Sequence, residues 1–222
     1  MMIKKYSKIS LILLLLFFSG CLNYEQITTI KKDGTGEMFI HYWTKLSQMP
    51  DSILIINSGI FNKDSLTNRY ISRYTTIDFS EVYNDYADST IHAKIKFIFT
   101  NVDSLNEIPA FKNYNFLFDE VSEDEYSFSQ NIDFFQFSSD SLQEYTMKFT
   151  YYLPGQILYH NANSLSQNKL DWEFNLSDAD SIKQIEAKFE PFRLNETPHW
   201  VYYSGIFVFF VVIYFLFRFK KN

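Results

Sequence analysis

The chain has almost no cysteine. One residue in 222, Cys21, leaves no disulfide to close within the chain, so an unpaired cysteine in an exported segment needs another use. Glycine and proline are also few, at six and five, which leaves little material for glycine-rich phosphate loops or flexible linkers. No G-x-S-x-G, no H-E-x-x-H and no phosphate loop occurs, and no internal repeat is visible. The four histidines, His41, His92, His160 and His199, are scattered. His41 and His92 fall on polar strand faces, where solvated side chains are the ordinary expectation and metal ligands are not. Together these absences predict a protein that is not an enzyme and has no resident metal or cofactor. Positive charge is scarce as well. Of 20 Lys and Arg, six sit at the two ends (Lys4, Lys5, Lys8, Arg218, Lys220, Lys221), leaving 14 against 26 Asp and Glu, a net charge of −12 between them. A segment so acidic repels nucleic acid, which is excluded as a partner.

What the sequence does have is apolar ends. Lys4, Lys5 and Lys8 precede the apolar run Ile9–Phe18, too short to span a bilayer comfortably, and Ser19-Gly20-Cys21 follows. Residues 1–20 therefore read as a signal peptide. Phe18-Ser19-Gly20-Cys21 resembles the lipobox of bacterial lipoproteins, in which cleavage precedes the cysteine and its thiol carries diacylglycerol. Cys21 is the expected lipid attachment site. At the other end, 200–217 has no formal charge, opens on Trp200, Tyr202 and Tyr203, and is followed by the basic tail 218–222. This pattern predicts a transmembrane helix with the tail in the cytoplasm. The expected product is lipid-anchored and single-pass in a bacterial cell membrane, with residues 21–190 extracytoplasmic and 191–199 as a linker.

Between these ends the apolar period is two. Met38, Ile40 and Tyr42 alternate with Glu37, Phe39 and His41, after a turn at Asp33-Gly34-Thr35-Gly36. Ile91, Ala93, Ile95, Phe97 and Phe99 alternate with His92, Lys94 and Lys96, and three later stretches, ending near Leu153, Leu176 and Glu190, do the same. Weaker strands fall at Tyr114–Val121 and Tyr126–Ile132. The alternation stops from Thr44 to about Ile77, where Asp51–Asn57 and Ser65–Tyr74 suggest short helices, the first with a strand as its alternative and the second capped by Asp64. Val102–Phe111 suggests another, broken by Pro109. The predicted fold class is α+β: a mostly antiparallel sheet packed against a few short helices, plus the C-terminal transmembrane helix.

Aromatics make up 19% of the chain, more than the ends account for. Phe97, Phe99, Phe128, Phe149, Tyr151, Trp172 and Phe174 fall on inward strand positions. They are candidates to line a cavity for an acyl chain, and they equally suit an ordinary core. The run Glu123-Asp124-Glu125 offers carboxylates for a cation, with a solvated turn as the simpler reading.

Several of these stretches carry a family resemblance. Asp33-Gly34-Thr35-Gly36 is similar to the Asp-Gly-Ser-Gly start of the LppM-like lipoproteins. His92–Leu105, through Asn101-Val102-Asp103-Ser104-Leu105, looks like that family's strand into helix. Leu153-Pro154-Gly155-Gln156-Ile157, then Asn161 or Asn163, then Trp172, resembles its Pro-Gly, Asn and Trp series. The resemblance implies an α+β envelope domain and, for the mycobacterial type, binding of cell-envelope lipids. The expected function is a membrane-anchored envelope lipoprotein that binds or handles membrane lipid. The alternative is a non-enzymatic scaffold for envelope membrane proteins. If both ends are tethered to one bilayer, the start of the first strand and the end of the last lie on the same side of the domain.

Overall fold

Alternation of buried and outward residues begins at Leu22, directly after Cys21. Strand β1 spans Cys21–Ile30 and turns Leu22, Tyr24, Gln26, Thr28 and Ile30 inward. The turn after it is held by Asp33, whose Oδ1 accepts from the Thr35 amide at 3.0 Å and the Thr35 hydroxyl at 2.7 Å, while Gly34 takes φ +78°. Strand β2, Gly36–Lys45, returns with Met38, Ile40, Tyr42 and Thr44 inward. The structure, a computed structural model, describes residues 21–48, 59–122, 124–132, 144–175, 183–192 and 199–219. Residues 1–20, expected as a signal peptide, the Asp51–Asn57 segment, Glu123 and most of the expected linker and basic tail lie outside these. The chain divides into two units, residues 1–191 and 192–222.

The first unit holds two sheets. Strands β3 (Thr75–Asp85), β4 (Thr90–Phe99), β7 (Glu144–Tyr152), β9 (Ser164–Ser166) and β10 (Lys169–Asn175) join β1 and β2 in a seven-stranded sheet ordered β3-β4-β2-β1-β7-β10-β9. Strands β5 (Leu117–Ser122), β6 (Glu125–Ile132), β8 (Gly155–His160) and β11 (Lys183–Pro191) form a second sheet ordered β5-β6-β11-β8. The β1–β7 pair is parallel, with Gln26 opposite Phe149; the other described pairs are antiparallel.

This architecture corrects the expected fold class. An inward apolar face must be covered, and helices were expected to cover it. Instead the second sheet covers the β7–β10 side, with Phe128 of β6 against Tyr151 of β7 at 4.7 Å between ring centroids. The molecule is therefore mostly β, not α+β. Among the described residues helical cover is confined to the β2–β4 side. There α1, Lys63–Tyr70, places Leu66 and Tyr70 one turn apart on its buried face. Tyr70 stacks on Phe97 at 5.6 Å, and Phe111, from a 3-10 turn at Pro109–Phe111, meets Tyr70 edge-on at 5.5 Å. The cap of α1 is Asn62, whose side chain accepts from the Ser65 amide at 3.0 Å, not Asp64.

The second unit contains α2, His199–Phe219. Among the described residues no helix is long and apolar enough to cross a membrane. The transmembrane span expected at 200–217 is corrected accordingly. The polar-tipped side chains Trp200, Tyr202, Tyr203, Ser204 and Tyr214 interrupt its apolar residues.

Candidate functional site

Of the aromatic residues singled out in the sequence, Phe128, Tyr151 and Trp172 meet between the sheets. Phe97, Phe99, Phe149 and Tyr151 are fully buried, Phe128 and Trp172 nearly so, and Phe174 is half-buried at the margin. Tyr151 meets Trp172 edge-on at 5.9 Å, and Phe149 meets Phe174 the same way at 6.0 Å. Phe97 and Phe99 lie farther along, on β4. The Trp172 indole N–H donates to Asn161 Oδ1 at 2.8 Å, and the same oxygen accepts from the Glu186 amide at 2.9 Å. Asn161 Nδ2 donates to the Gln184 carbonyl at 2.7 Å. The Pro-Gly, Asn and Trp series thus bolts β10 of one sheet to β11 of the other.

Polar residues that the period-two reading passed over run through this interior. Tyr24 donates to Gln26 Oε1 at 2.6 Å, and Gln26 Nε2 donates to Thr28 Oγ1 at 3.1 Å and to the Tyr151 hydroxyl at 2.7 Å. The Tyr151 hydroxyl in turn donates to Gln130 Oε1. Burial raises the phenols of Tyr24, Tyr42, Tyr70 and Tyr151 above the usual range, so each stays protonated as a donor. The chain of donors ends at Gln130 Nε2, which is buried and has no hydrogen-bond partner among the described residues. An orphan buried amide N–H is costly unless an acceptor meets it.

A second cluster lies on the outer face of the large sheet, at the end where β1 begins. Asn23 opposes Trp43, Trp43 opposes His92, and His92 opposes Tyr83, one row across four strands. Their rings stand in a pile. Tyr83 and His92 stack at 4.9 Å, His92 and His41 at 5.1 Å, and His41 and Trp43 tilt together at 4.5 Å. The two histidines, expected to be scattered, share a hydrogen bond of 2.9 Å between His41 Nε2 and His92 Nδ1. Burial, with help from the charge of Lys94 and from the neighbouring His92, pushes the His41 imidazole down to about 4. His160 stands elsewhere, its Nδ1 accepting from the Ala162 amide at 3.1 Å. Three side chains here can each offer a ligand atom to one cation. Asp85, Asp88 and His92 have such atoms within 4.8 Å of one another. Sequence reading assigned no metal ligand here. The spacing Asp85, Asp88, Thr90, His92 across a turn was the available signal.

The two ends of the first unit do not share a side. Strand β7 runs parallel to β1, so its end lies at the Gly34 turn, and β8 starts there. Strand β11 ends beside that start, with Pro191 opposite Gly155. Phe189 packs on Phe118 at 6.0 Å, and the Phe118 ring lies against Gly34. Cys21 and Pro191 therefore mark opposite poles, separated by the length of a ten-residue strand, roughly 33 Å. The expectation that both ends meet one membrane plane is overturned.

No family model matches this chain, and no curated protein matches it. A solved structure similar to it is the NMR structure of the folded domain of LppM from Mycobacterium tuberculosis, at 14% identity and a TM-score of 0.49, covering 81% of this chain and 95% of that domain.

Proposed function

We propose that this chain is a bacterial envelope lipoprotein, acylated at Cys21, whose extracytoplasmic domain binds lipid at its aromatic interior and performs no chemistry on it. The observation that carries this reading is the open end of the interior donor chain. Gln130 Nε2 sits beside Phe128 and Tyr151 with nothing among the described residues to donate to. A lipid ester or amide carbonyl is an acceptor of the right kind, and the surrounding rings suit an acyl chain. The start of β1 at Cys21 supports the anchoring half, because an acyl group there holds the outer ring pile and the first strand against the leaflet with no linker between. Membrane lipid is the proposed partner. A second reading, a scaffold for envelope membrane proteins without a ligand, is favoured by the complete burial of Phe97, Phe99, Phe149 and Tyr151.

Native mass spectrometry of the detergent-extracted full chain separates these. Lipid that co-purifies with the wild type and is lost in Gln130→Leu supports the lipid reading. A protein free of lipid in several detergents moves the function to the scaffold. For the anchor, Cys21→Ser should abolish palmitate labelling and leave the signal peptide unprocessed; equal labelling of the variant rules Cys21 out.

A further inference from the structure

The β3–β4 hairpin carries three side chains of metal-binding chemistry at one spot. Asp85 closes β3, Asp88 lies in the turn, and His92 stands on the outward face of β4. Asp85 pairs with Thr90 and Tyr83 with His92, so Asp85 and His92 are diagonal neighbours on the outer face. We propose that Asp85, Asp88 and His92 form a binding site for a divalent transition-metal ion. The site stands apart from the lipid reading and does not depend on it.

Two carboxylates and one imidazole are a donor set that suits zinc-like ions better than calcium or magnesium, which prefer oxygen alone. Ligand atoms around a tetrahedral zinc lie roughly 3.4 Å apart, and those of the three side chains already lie within 4.8 Å. Small side-chain rotations close the difference. A net charge of −12 on the surrounding segment raises the local cation concentration.

The neighbourhood holds the ligands in place. His92 is clamped between Tyr83 and His41 in the ring pile. Asp85 Oδ1 accepts from the Ala87 amide at 2.9 Å, and Asp88 Oδ1 accepts from the Thr90 amide at 3.1 Å. The Leu46 amide donates to the Ser89 carbonyl at 2.9 Å and ties the turn to the end of β2. Thr90 Oγ1 lies between two of the ligands, 2.6 Å from His92 Nε2 and bonded to Asp88 Oδ1. The carboxylate only accepts, so the Thr90 hydroxyl donates to Asp88 and takes the His92 Nε2 proton in hydrogen bond. His41 Nε2–H then donates to His92 Nδ1. A metal at His92 Nε2 requires the opposite tautomer. The His92 proton sits on Nδ1, His41 Nε2 accepts it, and His41 carries its own proton on Nδ1. Both imidazoles stay neutral and no net proton is lost. His41 is the positioning residue that fixes the metal-bound tautomer.

The test is calorimetric titration of the full chain in detergent with Zn2+ at neutral pH, with far-UV circular dichroism confirming that each variant is folded. One ion per chain is expected. His92→Gln and Asp88→Asn should each weaken binding at least about tenfold, and His41→Gln by about tenfold. Asp119→Asn, an exposed acid on β5, should leave it unchanged. With Co2+ as probe, the visible band of the nitrogen-ligated ion should vanish in His92→Gln. Equal Zn2+ affinity in wild type and Asp88→Asn, or no binding at millimolar Zn2+, overturns the proposal. Should His92→Gln fail to fold, Asp88→Asn, on the exposed turn, decides the matter alone.

Discussion

Replacing Tyr151 and Gln130 singly and together tests whether the interior donor chain ends on nothing. Tyr151→Phe deletes the hydroxyl that meets Gln130 Oε1 and receives Gln26 Nε2. Gln26 keeps Tyr24 and Thr28, but Gln130 is left with both amide atoms buried and unpaired. The expected loss is about 2–4 kcal/mol. Gln130→Leu strands only the Tyr151 hydroxyl hydrogen while removing the orphan amide. These are opposing effects of about 1–3 kcal/mol each, so the net change should fall within about 1 kcal/mol of zero. In the double variant neither stranded group remains. Its stability should match or exceed that of the wild type, giving a coupling of about 2 kcal/mol in a double-mutant cycle. Urea melts of lipid-free protein, with a shared m-value, provide the readout. A double variant that loses the sum of the singles refutes the pairing. A loss above about 2 kcal/mol in Gln130→Leu alone refutes the orphan amide, because the nitrogen would then be bonded within the chain itself.

Three further outcomes follow from packing and charge. Trp172→Ala removes a nearly fully buried indole and its bond to Asn161, and should cost about 3–5 kcal/mol in denaturant melts; a loss below about 1 kcal/mol contradicts the burial. At Gly155 a Cβ would stand 2.1 Å from the Glu190 carbonyl oxygen, so Gly155→Ala should lower stability by at least about 2 kcal/mol and loosen the end of β11, read as faster amide exchange there. His41 titrates near 4 when folded and near the ordinary 6.5 when unfolded. Between those values the unfolded chain holds more protons, so stability falls as pH drops through 6.5 toward 4. The melting temperature of His41→Gln should decline less steeply across that window, and parallel slopes would contradict the assignment.

The inward strand faces were legible because burial on one side writes itself as period two. Met38, Ile40 and Tyr42 point in, as do Ile91 through Phe99 and Leu170 with Trp172. Strand β3 was missed because it is an edge: Thr75–Asp85 is exposed or half-buried throughout and has no apolar period to read. The second sheet was mistaken for more of the first, since Phe128, Ile132, Ile185 and Phe189 alternate just as the first sheet's residues do. What covers a face is not a local property. The ring pile depended on register, which brings His41 to His92 across 51 residues. The opposite poles depended on one parallel pairing. A mostly antiparallel reading gives no reason for β7 to end away from Cys21, and the C-terminal run was read as a span because it carries no formal charge.

That parallel seam also orders events in time. Gln26 and Tyr151 touch across 125 residues, and closing a loop of that size costs about 4 kcal/mol of chain entropy before any contact forms. The hairpins β1–β2 and β3–β4 need no such closure, nor does β7 with β10. The large sheet is therefore expected to arise as two separate leaves that join last, with β1 waiting as a bare edge until β7 has been made. Substitutions within the β1–β2 hairpin should slow refolding in stopped-flow traces, whereas those across the seam should chiefly hasten unfolding. A chain tethered at Cys21 passes that interval with its stickiest edge held beside the bilayer, away from the edges of other molecules.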